Sequence, residues 1–302
     1  MQLPMTKKHP AGSVKEAFNL TGRVAIITGG AGLLGAKHAE AIAELVGIPV
    51  LWDIDKVRAE DRATEITSQF RVPAVGMAVD VTQAECIRRA LAEVLSMFGR
   101  VDILINNAAN DPKVSTSGLQ AGHSSRLECF PLEQWNRDIE VGLTGAFLCS
   151  RIIGCEMAQR NKGVILNVAS DLAIIAPDQR IYRLSDLTED QQPVKPVTYS
   201  VVKAGLLGLT RYLATYWAEK GVRANAISPG GAQTDQNVEF VRRLTKSGAT
   251  WAHGSPRRVQ GCRCLSGIRR FFIHDGSEPR HRWRPLGMVN QDANIPRAGK
   301  CF

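Results

Sequence analysis

Residues 23–35 read Arg-Val-Ala-Ile-Ile-Thr-Gly-Gly-Ala-Gly-Leu-Leu-Gly. The run from Arg23 to Thr28 is short, rich in β-branched residues and closed by glycines, which is the pattern of a buried strand. Gly30, Gly32 and Gly35 then satisfy G-x-G-x-x-G at the junction between that strand and a helix that begins near Ala36. In a dinucleotide site one such glycine makes the tight turn, one lets backbone approach the pyrophosphate, and the third lets helix pack on strand. The helix start offers free N–H groups and a positive dipole end to the phosphates. A second strand, Ile48 to Ile54, reaches Asp53, 18 residues beyond Gly35. A carboxylate there can accept from both ribose hydroxyls and would repel a 2′-phosphate, which favours NAD over NADP.

Working outward, strand and helix patterns alternate. Helical periodicity runs over 36–46, 57–70, 83–98, 132–160 and 199–220, and strand patterns over 74–79, 101–106, 163–169 and 223–228. Such alternation implies right-handed crossovers and a parallel sheet covered on both faces. The expected fold is α/β, a Rossmann-type doubly wound parallel sheet. No apolar run approaches the roughly 20 residues of a membrane span. Residues 1–17 carry three lysines and no apolar core, so they read as an N-terminal extension and not a secretory signal. Seven scattered cysteines argue against a disulfide framework, so a cytoplasmic location is expected.

Further marks stand in order along residues 18–245. Asp80-Val81 follows the third strand and Asn106-Asn107-Ala108-Ala109 the fourth. Ser170 follows the fifth, Tyr199-Ser200-Val201-Val202-Lys203 opens the long helix, and Pro229-Gly230 with Thr234 follows the sixth. With Thr28 to Gly35, this set resembles the short-chain dehydrogenase/reductase family. The resemblance implies hydride transfer between an alcohol or carbonyl substrate and a nicotinamide cofactor. It assigns Ser170, Tyr199 and Lys203 to catalysis, with Lys203 also at the nicotinamide ribose. It assigns the cofactor to Thr28, Gly29, Gly30, Gly32, Leu34 and Gly35, to Asp53 and Ile54, to Asp80 and Val81, to Asn107, Ala108 and Ala109, and to Pro229, Gly230 and Thr234. The spacing suits that chemistry, because Tyr199 and Lys203 share one helix face. A tyrosine ionises near about 10 when free, and an ammonium about 4 Å away at an effective dielectric near 20 is worth roughly 4 kcal/mol. Tyr199 can then act as general acid and base near neutral pH.

Two departures stand out. Gly142 occupies the place where the family usually has an asparagine that supports a water relay to the lysine. Ser170 and Tyr199 are 29 apart, about twice the usual spacing. The extra residues, Asp178 to Val197, are expected to lie over the substrate end, and their polarity suits a hydroxylated substrate. That lid and the Asn-Asn-Ala-Ala stretch resemble flagellin-modification and surface-sugar oxidoreductases. Gly142 also keeps open a dinucleotide-binding protein that does not turn over.

The net charge of +9 is uneven. Residues 246–302 hold eleven Lys and Arg against three Asp and Glu, leaving residues 1–245 near neutrality. A basic tail can bind nucleic acid, but another explanation fits it better. The family ends in a further helix and strand, and residues 246–302 show neither pattern. Codons for Ser266 to Asn290, each read from its second base, can spell LASDASSFMTGANLVIDGGRWAW, followed by a stop codon within Met288-Val289-Asn290. Ser255 to Leu265 can likewise give APDEYKGAVV. A frameshift near residues 245–248 is therefore expected, with the basic residues, Cys262-x-Cys264 and Trp283 as its by-products. Neither a metal site nor a nucleic-acid partner is then expected. The sheet would lack its last strand, and the homo-oligomer contacts usual in the family would be lost with it.

Overall fold

The computed structural model describes residues 18–110, 125–185, 187–230, 240 and 242–243. The N-terminal extension, Thr234 and the basic tail with its cysteines lie outside the described residues. Six parallel strands run β1 (Val24–Thr28), β2 (Ile48–Asp53), β3 (Val75–Ala78), β4 (Ile103–Asn106), β5 (Gly163–Val168) and β6 (Val222–Ile227). They lie in the order β3-β2-β1-β4-β5-β6. The chain order reverses between β1 and β4, which leaves a crevice at their carboxyl ends, the usual ligand position in such sheets. Among the described residues β6 pairs with β5 alone.

Among the described residues the chain forms helices α1 (Leu33–Glu44), α2 (Lys56–Phe70), α3 (Ala84–Phe98), α4 (Leu132–Ile139), α5 (Gly145–Gln159) and α6 (Val197–Tyr216). The strand period of two sends alternate side chains to opposite faces. Val24 and Ile26 enter one apolar cluster, with Trp52, Ile87, Ile153 and Met157. Ala25 and Ile27 enter the other, with Ile42, Leu51, Ile66 and Ile105. Both faces are sealed, as a wholly parallel sheet requires.

At the amino end of the sheet Asp102 ties β1 to the segment before β4. Its carboxylate accepts from the Val24 N–H at 3.1 Å, from Arg23 at 3.0 Å and from Arg100 at 2.5 and 2.8 Å. Burial alone would raise its pKa, but the hydrogen bonds from Arg100, Val24 and Arg23 outweigh that and hold it below the usual carboxylate range.

The sequence pattern gives one helix over 132–160. In the fold that stretch is two helices joined by a π-turn, Glu140–Thr144, with Gly142 at its centre. By length and composition Leu132–Gln159 would also suffice to cross a membrane. Its α5 part instead packs on the sheet, with Cys149, Ile153 and Met157 fully buried. Burial pushes the Cys149 thiol up to about 12, so it is an inert core side chain. Helix α6 starts at Val197, two residues earlier than the pattern suggests, because Pro196 fixes the turn before it.

His38 on α1 is buried, its Nε2 has no hydrogen-bond partner among the described residues, and burial lowers its pKa from 6.5 to about 4. It is neutral when folded, whereas the unfolded chain takes up a proton below about 6.5, so this contribution is whole above that pH. It is lost as pH falls toward 4, by about 3 kcal/mol in total. Urea unfolding between pH 7 and 4 should show that loss, and His38→Leu should flatten the profile. An unchanged slope would refute it.

Candidate functional site

The glycine turn is built for close approach. Gly29 adopts φ +62°, and a Cβ on Gly35 would be driven into the Gly29 carbonyl. Gly30 N–H donates to the Trp52 carbonyl at 3.0 Å, seating the turn on β2. Gly32 caps α1, with no side chain bonded to the cap and no acid in the first turn. The leading N–H groups of the helix, at Leu33 to Gly35, therefore face outward with their donor capacity intact. A pyrophosphate would be received by backbone alone, which is the cradle a dinucleotide needs.

Asp53 closes a ring of contacts beside this turn. Its Oδ2 accepts from Ala31 N–H at 3.0 Å and its Oδ1 from Asp55 N–H at 3.2 Å. Asp55 in turn accepts from Arg58 N–H at 3.1 Å, and the Arg58 guanidinium donates to the Ala31 carbonyl at 3.3 Å. The carboxylate is thus held in place with lone pairs left over for a ribose. Arg58 is a cation at this edge that sequence reasoning passed over; its position three residues after Asp55, on the first turn of α2, was the available signal. Ile54 beside it is largely exposed.

Thr28 and Asn107, both assigned to the cofactor by resemblance, hold each other. The Thr28 hydroxyl accepts from the N–H groups of Asn107 and Ala108, each at 3.0 Å. The Asn107 amide donates to the carbonyls of Thr28 and Gly29 at 3.0 and 3.1 Å. Both side chains therefore shape the crevice between β1 and β4. Asp80 caps its own turn through Thr82, and Val81 is buried against Gly145. Ala108 and Ala109 are half-buried at the crevice, and Gly230 is exposed. The Pro229 carbonyl accepts from Asp171 N–H at 3.1 Å.

Beneath the crevice lies a buried polar chain. Asn106 donates to Ser150 at 2.9 Å and to Asn167 at 2.8 Å, and Asn167 donates to Thr210 at 2.8 Å. It couples β4, β5, α5 and α6 in one register, since a buried amide left unpaired costs about 1–3 kcal/mol.

At the end of β5, Ser170 donates its hydroxyl proton to Asp171 at 2.7 Å and accepts from Leu172 N–H at 3.2 Å. Lys203 is buried and donates to the Val168 carbonyl at 2.7 Å, two residues before Ser170. Its ammonium lies 5.8 Å from the centre of the Tyr199 ring. Serine, tyrosine and lysine are thus gathered at one strand end. Thr198 anchors the same turn of α6 by donating to Asp138 at 2.5 Å.

The insertion, read as Asp178 to Val197, belongs to a strap that starts at Asp171 and includes three short 3-10 turns, and its last residue, Val197, already opens α6. Gln192 is buried and fastens it from within, accepting from Leu184 N–H at 2.8 Å and donating to the carbonyls of Leu184 and Leu187 at 2.9 and 2.7 Å. Arg126 and Ser125 hold its outer side through Glu189 and Val194. Lys195 sits with its ammonium 3.9 Å above the Tyr199 ring. Sequence reasoning missed Lys195, although its place four residues before Tyr199 was visible.

Comparison with known proteins identifies the family and the fold. The profile of the family described as short chain dehydrogenase matches residues 23–244. The chain is 31% identical, over 81% of its length and 86% of the relative's, to an NAD-dependent glycerol dehydrogenase of Listeria innocua. It is 31% identical to a D-threitol dehydrogenase of Mycolicibacterium smegmatis over 72% of this chain and 73% of that protein. Among solved structures, an NADPH-dependent 3-quinuclidinone reductase from Rhodotorula rubra shares the fold with a TM-score of 0.72. The identity is 24%, with 90% and 94% of the two chains covered.

At Gly142 the fold has done more than omit an asparagine. A Cβ there would meet Val202 Cγ1 at 2.6 Å. Gly142→Asn should therefore lower stability by about 1–3 kcal/mol through overpacking, and Val202→Ala in the same chain should recover much of it. Denaturant melts decide the matter: a Gly142→Asn protein as stable as the parent would show the space to be free.

Proposed function

The chain belongs to the short chain dehydrogenase family, and we propose that it is an NAD-dependent oxidoreductase that moves hydride between a polar secondary alcohol and nicotinamide, with Tyr199 as the proton-transfer group. The observation that carries this reading is the Lys203 hydrogen bond to Val168. It brings Lys203, and with it Tyr199 on the same face of α6, to the strand end that bears Ser170. The glycine cradle and Asp53 lie along the same carboxyl edge of the sheet.

The nicotinamide, when bound, accepts or returns the hydride. The protein handles the proton. In oxidation the alcohol O–H gives its proton to the Tyr199 oxygen as the C–H bond breaks, and in reduction Tyr199 returns it to the forming alkoxide. The Lys203 ammonium favours the ionised tyrosine. Ser170 holds the substrate oxygen, which requires its hydroxyl proton to turn away from Asp171. Asp53 selects NAD, because a 2′-phosphate would bring negative charge against a fixed carboxylate. The two relatives named for glycerol and D-threitol support a small polyol or sugar-like substrate, and the polar strap suits one.

Val202 beside Gly142 favours a second reading, a dinucleotide-binding protein that does not turn over. One experiment separates the two. Purified full-length chain is given NAD or NADP with glycerol, D-threitol or glucose, and NADH formation and NADH binding are followed. The expected result is turnover with NAD in preference to NADP, reduced at least about 100-fold by Tyr199→Phe with NADH binding kept. Undiminished turnover in Tyr199→Phe would overturn the role of Tyr199. NADH binding without turnover on any of these substrates would favour the second reading.

We also propose that 18–245 is the catalytic domain and that 246–302 is translated out of frame. The support is the hidden string spelled by the codons of Ser266 to Asn290, together with a family match that ends at residue 244. Sequencing gene and transcript across these codons tests it. A single base gained or lost is expected, and an unbroken frame that cannot spell the hidden strand would refute it.

A further inference from the structure

Tyr199 has a second cation on its ring, closer than the first. Lys195 Nζ lies 3.9 Å from the ring centre and Lys203 Nζ 5.8 Å. The two come from different structures. Lys203 belongs to α6 and is committed to the Val168 carbonyl. Lys195 belongs to the strap, which the long interval between Ser170 and Tyr199 provides.

The strap holds Lys195 by its backbone. Its N–H donates to Gln179 Oε1 at 2.8 Å, and its carbonyl accepts from Gln179 Nε2 at 3.5 Å. Pro196 follows and restricts Lys195 to extended backbone. Gln179 itself opens a 3-10 turn capped by Asp178, whose carboxylate accepts from Arg180 N–H at 3.0 Å. The stem of Lys195 is thereby aimed across the face of Tyr199 with little freedom left in the main chain.

We propose that Lys195 is a positioning residue for the hydride-transfer reaction, a second cation that lowers the pH at which Tyr199 ionises. This inference rests on the reading of Tyr199 as the proton-transfer group. The physical reason is differential. An ammonium over a neutral phenol ring gains the modest attraction of a cation for a quadrupole. Over a phenolate, whose negative charge is shared with the ring, it gains a full charge–charge term in a half-buried setting. Only the difference moves the equilibrium, and its sign favours the ionised form.

The other charged groups on the turn and on the helix packed against this end of α6, among the described residues, do not supply the same effect. Asp171, on the turn packed against the helix, is negative and opposes ionisation. On α4 and the π-turn, Glu133, Asp138 and Glu140 are likewise acidic and Arg137 is basic. Asp138 is already engaged by Thr198 and Gln134. Lys203 and Lys195, by contrast, place their ammonium groups over the ring itself.

The test needs no turnover. The chain has four tyrosines, Tyr182, Tyr199, Tyr212 and Tyr216. The ultraviolet absorbance of tyrosinate, titrated in cofactor-free protein, contains one component that Tyr199→Phe deletes. Subtracting the Tyr199→Phe titration in each background isolates that component. In Lys195→Met it should move up by about one pH unit, while Lys195→Arg, which keeps a cation on the ring, should leave it near the parent value. Circular dichroism of each variant checks that the strap change has not unfolded the domain.

In active protein the acid limb of kcat/KM for alcohol oxidation should move in the same direction with NADH binding unchanged. A Tyr199 component that superimposes in parent and Lys195→Met overturns the proposal. So does a Lys195→Arg protein that titrates like Lys195→Met, since that would mark a loss of packing and not of charge. The underlying reading fails by a different result, full turnover in Tyr199→Phe, so the two failures are not confused.

Discussion

A parallel sheet ends its strands with carbonyls and N–H groups that have no further partner, and at the crevice between β1 and β4 those groups must be satisfied without filling the space. Here the Thr28 hydroxyl does this by accepting the N–H groups of both Asn107 and Ala108. The Asn107 amide returns two donors to the carbonyls of Thr28 and Gly29. Because the two strand ends satisfy each other, the crevice stays open above them. The left-handed Gly29 and the exposed start of α1 are held at its rim.

Everything functional is referred to that level. The chain Ser150–Asn106–Asn167–Thr210 carries it sideways through β4 and β5 into α6. Lys203 then pins the helix to the last residue of β5, Val168. Each contact is buried, so a slip of register would strand polar groups in the core at a cost comparable with a sizeable part of the domain's net stability. A tyrosine on a helix and a serine on a strand end are thereby held at one place, although 29 residues separate them in sequence.

The strap shows how an insertion acquires order. It has no sheet to join, and its central fastening is one buried glutamine, Gln192, acting as a three-bond clasp. Such a clasp is invisible to periodicity, which reads apolar faces and not amide geometry. The same blindness hid Arg58 at the glycine turn and the π-turn at Glu140–Thr144. A helical pattern continues smoothly through a π-turn, and only the approach of Val202 shows why a glycine sits there.

The alternation of strands and helices, the glycine turn, the acid after β2 and the tyrosine–lysine spacing were legible in the chain, because each depends on short-range chemistry: a period, a turn, one face of a helix. The sequence by itself determined that two sealed faces and a dinucleotide cradle would form. Tertiary structure alone decided what each polar group faces. It turned Thr28 and Asn107 toward each other, filled the space at Gly142 with Val202, and, through Gln179, brought Lys195 onto the ring of Tyr199. Those outcomes depend on where distant segments meet, and hydrogen bonds act over about 3 Å, a distance that no local pattern specifies.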